Sequence, residues 1–488
     1  MSQPNILFIM TDDHASHAMS CYGSKINKTP NMDSIANEGM LFNNCFCTNS
    51  ICAPSRATIL TGTHTHINGV KTLGDKLDNS ILTFPALFRE NGYQTGIVGK
   101  WHLGQGEKHW PKNFDYYNVL PGQGDYFNPV MVENGTSKVF EGYVTDIITD
   151  KCLEFLENRD EDKPFLLFCH HKAPHRPWLV SEEYRSHYIE DLPVPETFDD
   201  DYKNRAEAAR RARMRVERDF NAVDLKIKTP EGYEPYDSLP VPDDISTLWY
   251  ETLEGEKVTF SSKAQLKNWK YQRYMKEYLR CIDCVDDNIG RLLTYLEDNG
   301  LKDDTMVIYT SDQGFYLGDH GWYDKRFMYE QSLRMPLVIR YPSMIRPGSI
   351  NDNMVLNLDF AQTLLDIAGI KQPKEMQGIS FMNQLKGDHE AEVRKDMYYR
   401  YWMHLAHHNV AAHYGIRTKR YKLIFYYGKA LGTSGSIDWN TDEEWELFDL
   451  EMDPNEMNNV YNRQEYSLIQ AELKKRLYEI KAESKDDE

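Results

Sequence analysis

The run "NILFIMTDD" (residues 5–13) sets five consecutive apolar residues directly against Thr11, Asp12 and Asp13. An apolar stretch without alternation, ended so abruptly by charge, reads as a strand buried on both faces of a sheet. Three further runs repeat the design: "QTGIVGKWH" (94–102), "PFLLFCHH" (164–171) and "TMVIYTSDQ" (305–313). Helical patterns separate them. In "TPNMDSIANEG" (29–39), Thr29 suits an N-cap, Pro30 the first helical position and Gly39 the end; "YLRCIDCVDDNIGRLLTYLEDNG" (278–300) is amphipathic and stops at Asn299 and Gly300. Buried strands alternating with helices predict an α/β fold with a mostly parallel central sheet, whose ligand site lies beyond the carboxyl ends of the strands. The polar residues that close the four runs then converge there.

The 488 residues suffice for a large domain and a smaller one without disulfide or metal staples. No apolar run reaches the length of a membrane span. The formal charge of -19 argues against nucleic acid or an acidic membrane surface as partner. The eight cysteines show no disulfide framework, and Cys281 and Cys284 read as core residues one helical turn apart. The N-terminus carries no basic segment ahead of its apolar run, so a cytoplasmic protein is expected, or a periplasmic or secreted one if a leader has been removed.

Residues 1–387 form the expected catalytic domain. It is interrupted at about 191–260 by a Pro-, Asp- and Tyr-rich insertion, within which "RAEAARRARMRVER" (205–218) reads as a helix. Residues 388–488 form the expected C-terminal α+β unit. There "HYGIRTKRYKLIFYYG" and "EWELFDLEMDP" give antiparallel strands and "YSLIQAELKKRLYEIKAE" a closing helix.

Asp12, Asp13 and Asp312, with the amide oxygen of Gln313, make a hard all-oxygen ligand set suited to calcium or magnesium. Lys100, His102, His171, His175 and Lys325 add cations and proton carriers, and together these groups suit a tetrahedral oxyanion. In "SICAPSRATILTG" (50–62), Pro54 suits a first helical position and Gly62 a terminus, which sets Cys52 at the positive end of a helix dipole. There a thiol would be acidified. A nucleophile, an anion site and a plain helix entry with a small buried residue all fit that segment alone.

"CAPSRATILTG" resembles the C-x-P-S-R-x-x-x-x-T-G signature of the type I sulfatases, and the likeness runs through "ILFIMTDD", "GKWHLG", "KAPHRPW", "YTSDQG", "DKRFMYEQS" and "ELFDLEMDPNEMNNV". The family belongs to the alkaline phosphatase superfamily, which implies an α/β/α sandwich with a small C-terminal sheet domain. The resemblance implies that a formylglycine-generating or anaerobic sulfatase-maturating enzyme oxidises Cys52 to Cα-formylglycine, whose hydrate is the nucleophile. It implies one calcium ion on Asp12, Asp13, Asp312, Gln313 and the modified Cys52. Arg56 would stabilise the hydrate, Lys100 and Lys325 would hold sulfate oxygens, His102 would assist release of sulfate, and His175 would protonate the leaving oxygen, together with Lys325. Gln313 stands where the family often has Asn, which preserves an amide oxygen but can shift its geometry.

Likeness to bacterial carbohydrate sulfatases makes a glycosaminoglycan-derived saccharide the first expected substrate, with 6-O-sulfo-N-acetylglucosamine ahead of a 2-O-sulfo-uronate and exo action expected. Arg176, Trp178, His413 and Arg417 are the candidate sugar contacts. The rival readings are an aryl or steroid sulfatase with Trp101, Trp178 and Trp402 lining an apolar pocket, a phosphodiester or phosphonate hydrolase, and a binding protein whose Cys52 stays unmodified.

Overall fold

Strand β1 (Asn5–Thr11) lies at the centre of a ten-stranded sheet. Residues 3–388 and 394–488 are described, in a computed structural model. In chain order the other strands of this sheet are β2 (Met40–Phe42), β3 (Gln94–Lys100), β4 (Tyr116–Leu120), β5 (Val130–Glu133), β6 (Thr136–Val139), β7 (Phe165–His170), β8 (Thr305–Ser311), β9 (Leu337–Arg340) and β10 (Ser349–Asn351). Their spatial order is β10-β2-β9-β8-β1-β7-β3-β4-β5-β6. The four apolar runs are the adjacent strands β8, β1, β7 and β3, all parallel, while antiparallel pairs occur outside them.

Burial explains why these strands lack alternation. Residues 6–9 of β1 have no exposed surface, because helices cover both faces of the sheet. Helices α1 (Pro30–Asn37), α3 (Val144–Glu157) and α4 (Lys263–Asp298) pack on one another in one layer. Helix α2 (Cys52–Thr61) packs with the helices Phe84–Glu90 and Phe360–Ile367 in another. Cys281 and Cys284 are buried in α4, as expected of core residues.

The strand register gathers the polar ends. Thr11 pairs with Ser311, Met10 with His170 and Gly99 with His170, so Asp12, Asp312, His171 and Lys100 emerge side by side at one edge.

Strands β11 (Asp396–Tyr401), β12 (His413–Thr418), β13 (Tyr421–Tyr426) and β14 (Glu444–Asp449) form an antiparallel sheet under helix α5 (Ser467–Glu483). Alternation returns here. Ile416, Leu423 and Leu447 pack with Leu473 and Leu477 of α5, while Met397, Tyr399, Ile424 and Phe448 join the core of the catalytic region. The expected boundary between residues 387 and 388 borders residues 389–393, which lie outside the described residues.

The Arg-rich segment departs from expectation, since only Glu207–Arg211 is helical. Past it, backbone groups bond to distant partners: Arg213 N to His408 O at 2.6 Å, Val216 N to Gly321 O at 2.9 Å, and Met214 O from Tyr323 N at 2.9 Å. These bonds satisfy the backbone without a helix, and tertiary pairing overrides local propensity.

Candidate active site

Helix α2 begins at Cys52, is capped by Ile51 and ends at Gly62, whose φ of 62° suits glycine at a left-handed C-terminal position. Pro54 is its third residue rather than its first, and is tolerated there because early helical N–H groups have no intrahelical acceptor. All ten residues of α2 are buried. Ser55 anchors the helix by donating to the carbonyl of Asp312 and accepting from Asn357 Nδ2 at 2.8 Å.

Arg56 ties the helix to two strand ends. Its Nε donates to Asp312 Oδ2 at 2.9 Å and its Nη1 to the Lys100 carbonyl at 2.9 Å, while Nη2 is buried without a partner. Lys100 donates to Asp12 Oδ2, and also to Gln123 Oε1 at 2.6 Å. Lys325 and the amide nitrogen of Gln313 both donate to Asp13 Oδ1. Asp13 N donates to Asp312 Oδ1 at 3.2 Å. Thus Asp12, Asp13, Asp312, Gln313, Arg56, Lys100 and Lys325, distant in sequence, form one buried cluster.

Asp12 Oδ1, Asp13 Oδ2 and Gln313 Oε1 are buried with no hydrogen-bond partner. An unsatisfied buried acceptor costs about 1–3 kcal/mol, so three at one place require compensation. Three hard oxygens beside carboxylates fit a divalent cation such as calcium. Asp12, Asp13 and His175 each offer an atom within 4.8 Å of the others. His175 was expected only as a proton donor, and no sequence spacing placed it within reach of the acids.

Burial, reinforced by Asp312 and Asp13, pushes the Cys52 thiol up to about 11 despite the opposing charges of Lys325 and Arg56. This runs against the expectation of a thiol acidified by the helix end, with burial as the leading cause. Burial, then Lys100 and Lys325, holds the His175 imidazole well below its ordinary range. His102 is lowered likewise, by burial first and then by Lys100 and Arg56, and its Nδ1 has no partner. Burial also acts against the Lys325 ammonium, but Asp13 and Asp324 outweigh it and hold it raised. Asp13, His102, Asp324 and Arg326 have φ of 71°, 56°, 77° and 99°. Such strained residues are tolerated where surrounding structure must aim side chains.

The four candidate sugar contacts divide. Arg176 is partly exposed, pairs with Asp224 and has Nη1 3.4 Å from His408 Nε2. Trp178 is a core residue instead: it is fully buried, 4.8 Å from the Tyr274 ring centroid and 6.2 Å from that of Phe220. His413 is also structural, bonded to Ala411 O at 2.8 Å and Met328 N at 3.2 Å among Phe327, Tyr399 and Tyr426. Arg417 spends its guanidinium on Glu330 at 3.0 and 3.1 Å and lies over Phe46. Trp101 and Trp402 are buried as well, with Trp101 Nε1 donating to the His109 carbonyl at 2.8 Å and Trp402 Nε1 to Thr65 Oγ1 at 3.0 Å.

Residues missed in the sequence gather beside Lys325. Asp324, next to Lys325, accepts from Arg326 Nε at 3.0 Å and bonds His408 Nε2 at 3.2 Å. The "DKR" order around Lys325 was a usable signal for Asp324 and Arg326; nothing local marked His408 or Gln123.

An acid and amide cluster at parallel strand ends, threaded by two lysines and an arginine, defines a hydrolase site for an anionic ester. The sulfatase family model matches residues 4–370, and the chain belongs to that family as a sulfuric ester hydrolase. A second model, N-sulphoglucosamine sulphohydrolase, C-terminal, matches residues 318–483. The chain is 44% identical to the N-acetylglucosamine-6-O-sulfatase of Bacteroides thetaiotaomicron over 100% of its own length and 88% of the relative's. It is 27% identical to the Homo sapiens N-acetylglucosamine-6-sulfatase, over 82% of this chain and 67% of that one. The solved structure of BT4656 in complex with its substrate D-glucosamine-2-N,6-O-disulfate matches with a TM-score of 0.89 and 43% identity, covering 100% of this chain and 99% of that chain. The phosphonate monoester hydrolase of Agrobacterium radiobacter, at 21% identity and a TM-score of 0.71, shares the fold.

Proposed function

We propose that this chain is an exo-acting carbohydrate O-sulfatase that removes the 6-O-sulfate of N-acetylglucosamine in glycosaminoglycan-derived saccharides. The 44% identity to an N-acetylglucosamine-6-O-sulfatase along the whole chain carries this reading. The buried, protonated state of the Cys52 thiol supports its role as a precursor, converted to formylglycine by a maturating enzyme. The three orphaned oxygens at Asp12, Asp13 and Gln313 support calcium as the ion held with Asp312. When present, the hydrated formylglycine supplies the hydroxyl that attacks sulfur, and the ion supplies positive charge beside it.

The chain's own residues do the rest. Lys100 and Lys325 offer ammonium protons to the sulfate oxygens. His175 bonds the Arg176 carbonyl through Nδ1 at 2.7 Å, which leaves Nε2 to carry the proton that passes to the departing sugar oxygen. Burial first, and then the charges of Lys100 and Lys325, disfavour the charged imidazole; a bound sulfate ester would offset the lysine charges. His102 accepts a proton as sulfate leaves. The net change is one water consumed, with the sugar alcohol and sulfate released. Asp324, His408 and the partly exposed Arg176 are the candidates for holding sugar hydroxyls, a role their clustering beside Lys325 supports.

The test is desulfation by enzyme whose conversion at Cys52 has been verified by peptide mass spectrometry. It is offered 6-O-sulfo-N-acetylglucosamine, a 2-O-sulfo-uronate disaccharide and an aryl sulfate. The 6-O-sulfated sugar should be turned over with the highest kcat/KM by at least about tenfold. Preference for either alternative overturns the assignment.

A further inference from the structure

Lys172 is 2% exposed, yet its ammonium meets no carboxylate at ion-pair distance among the described residues. It donates to the Gln123 carbonyl at 3.1 Å and lies 4.9 Å from the centroid of the Tyr126 ring. Of the other buried lysines, Lys100 pairs with Asp12, Lys325 with Asp13, and Lys422 with Glu330 and Glu456, while Lys270 of α4, like Lys172, meets only a carbonyl, that of Glu217 at 2.9 Å. A buried ammonium without a counter-ion is costly, and it suits a site that completes itself with an incoming anion.

Its neighbourhood is the active site. The Lys172 carbonyl accepts from His175 N at 3.0 Å, so the side chain departs from the turn that presents His175. Gln123 links two ammonium groups, taking Lys100 on its side-chain oxygen at 2.6 Å and Lys172 on its backbone oxygen. The charge of Lys172 acts on Lys100, His102 and His175; burial opposes its own ammonium, and Asp125 first, then Asp13, Cys281 and Cys52, offset part of that cost.

We propose that Lys172 is a third cation of the sulfate pocket, held by the Gln123 loop and pairing with the sulfate group of the substrate. The proposal rests on reading this site as a sulfate-ester pocket. It differs from the roles of Lys100 and Lys325 in that Lys172 touches neither Asp12 nor Asp13. Its contribution is therefore to anion binding, without direct contact to the acid cluster.

The experiment titrates inorganic sulfate into the full chain at constant ionic strength, against chloride. Binding is followed by thermal shift and calorimetry for the wild type, Lys172→Met, Lys172→Arg and Gln123→Ala. Lys172→Met should weaken sulfate binding tenfold or more, while its melting temperature in sulfate-free buffer stays level or rises, because an uncompensated buried charge is gone. Lys172→Arg should keep sulfate affinity within about threefold of wild type. In matured enzyme, Lys172→Met should raise KM tenfold with kcat changed less than threefold. If wild type binds sulfate and Lys172→Met binds it equally well, the role of Lys172 is overturned while the pocket stands. A melting temperature lowered in both Lys172 variants with unchanged sulfate affinity also overturns it, in favour of a packing role. Absence of saturable sulfate binding in wild type overturns the pocket itself.

Discussion

Arg56 Nε donates to Asp312 Oδ2 at 2.9 Å, joining the second turn of the Cys52 helix to the end of strand β8, and both side chains are almost wholly buried. Through Nη1 the same guanidinium reaches the Lys100 carbonyl at the end of β3. One planar group thus ties together the Cys52 helix, an acid of the proposed ion site and a lysine proposed to bind sulfate. Arginine suits this position because its donors are spread over a rigid fork, whereas lysine offers a single point charge.

Replacing Arg56 by Lys should therefore preserve the charge and lose the geometry. Breaking a buried pair costs about 3–5 kcal/mol when one partner is deleted. Arg56→Met should fall in that range by urea unfolding, with Arg56→Lys destabilised by less. Turnover by Arg56→Lys, with conversion of Cys52 verified, should drop at least about a hundredfold, the scale for losing one preorganised donor. Wild-type turnover in Arg56→Lys would show that the fork is dispensable.

Calcium removal should reveal the orphaned oxygens. With Asp12 Oδ1, Asp13 Oδ2 and Gln313 Oε1 lacking partners, chelation should lower both the melting temperature and activity, and calcium should restore them. Gln313→Leu, which deletes an amide oxygen at similar volume, should raise the calcium concentration for half-maximal recovery by about tenfold or more. Identical calcium titrations for Gln313→Leu and wild type would remove Gln313 from the ion site.

The sugar-binding role proposed for His408 can be separated from sulfate chemistry by experiment. His408 reaches Asp324 from the C-terminal region, 3.2 Å across, and makes no bond to Asp12, Asp13 or Asp312 among the described residues. His408→Ala should raise KM for the sulfated sugar about tenfold while leaving turnover of a small aryl sulfate within about threefold, since loss of uniform binding acts on KM. Equal losses on both substrates would mean that His408 serves the chemistry or the fold instead.

The central sheet was legible because buried parallel strands leave an unmistakable trace, an unbroken apolar run stopped by charge, and four such runs placed Asp12, Lys100 and Asp312 together. The Cys52 helix was legible from its proline and glycine. The Arg-rich segment misled because its composition favours a helix, while its backbone bonds to Gly321, Tyr323 and His408 are invisible in one dimension. Trp178, His413 and Arg417 misled for another reason. Each carries a side chain fit for sugar, but its partners Tyr274, Phe327 and Glu330 lie far along the chain and claim it for packing. Gln123 and Lys172 stayed hidden because their meaning comes from the loop fold that brings a carbonyl to an ammonium.

Asp286 gives the fold a pH dependence of its own. It sits in α4, accepts from the N–H groups of Asn31 and Met32 at 3.1 and 2.9 Å, and so caps the start of α1 from outside. Burial raises its carboxyl from 3.8 to about 6 in spite of those bonds. Between these values the folded chain keeps a proton that the unfolded chain has released. The folded state binds more protons there, so this group's contribution to stability declines as pH rises from about 4 to 6. A shift of this size is worth about 3 kcal/mol, an upper bound for a group with some access to water. Asp286→Asn cannot titrate, so its urea midpoint relative to wild type should move upward between pH 4 and pH 6.5, then hold level at higher pH. A constant offset between the two proteins across that window would show that Asp286 titrates alike in the folded and unfolded chains.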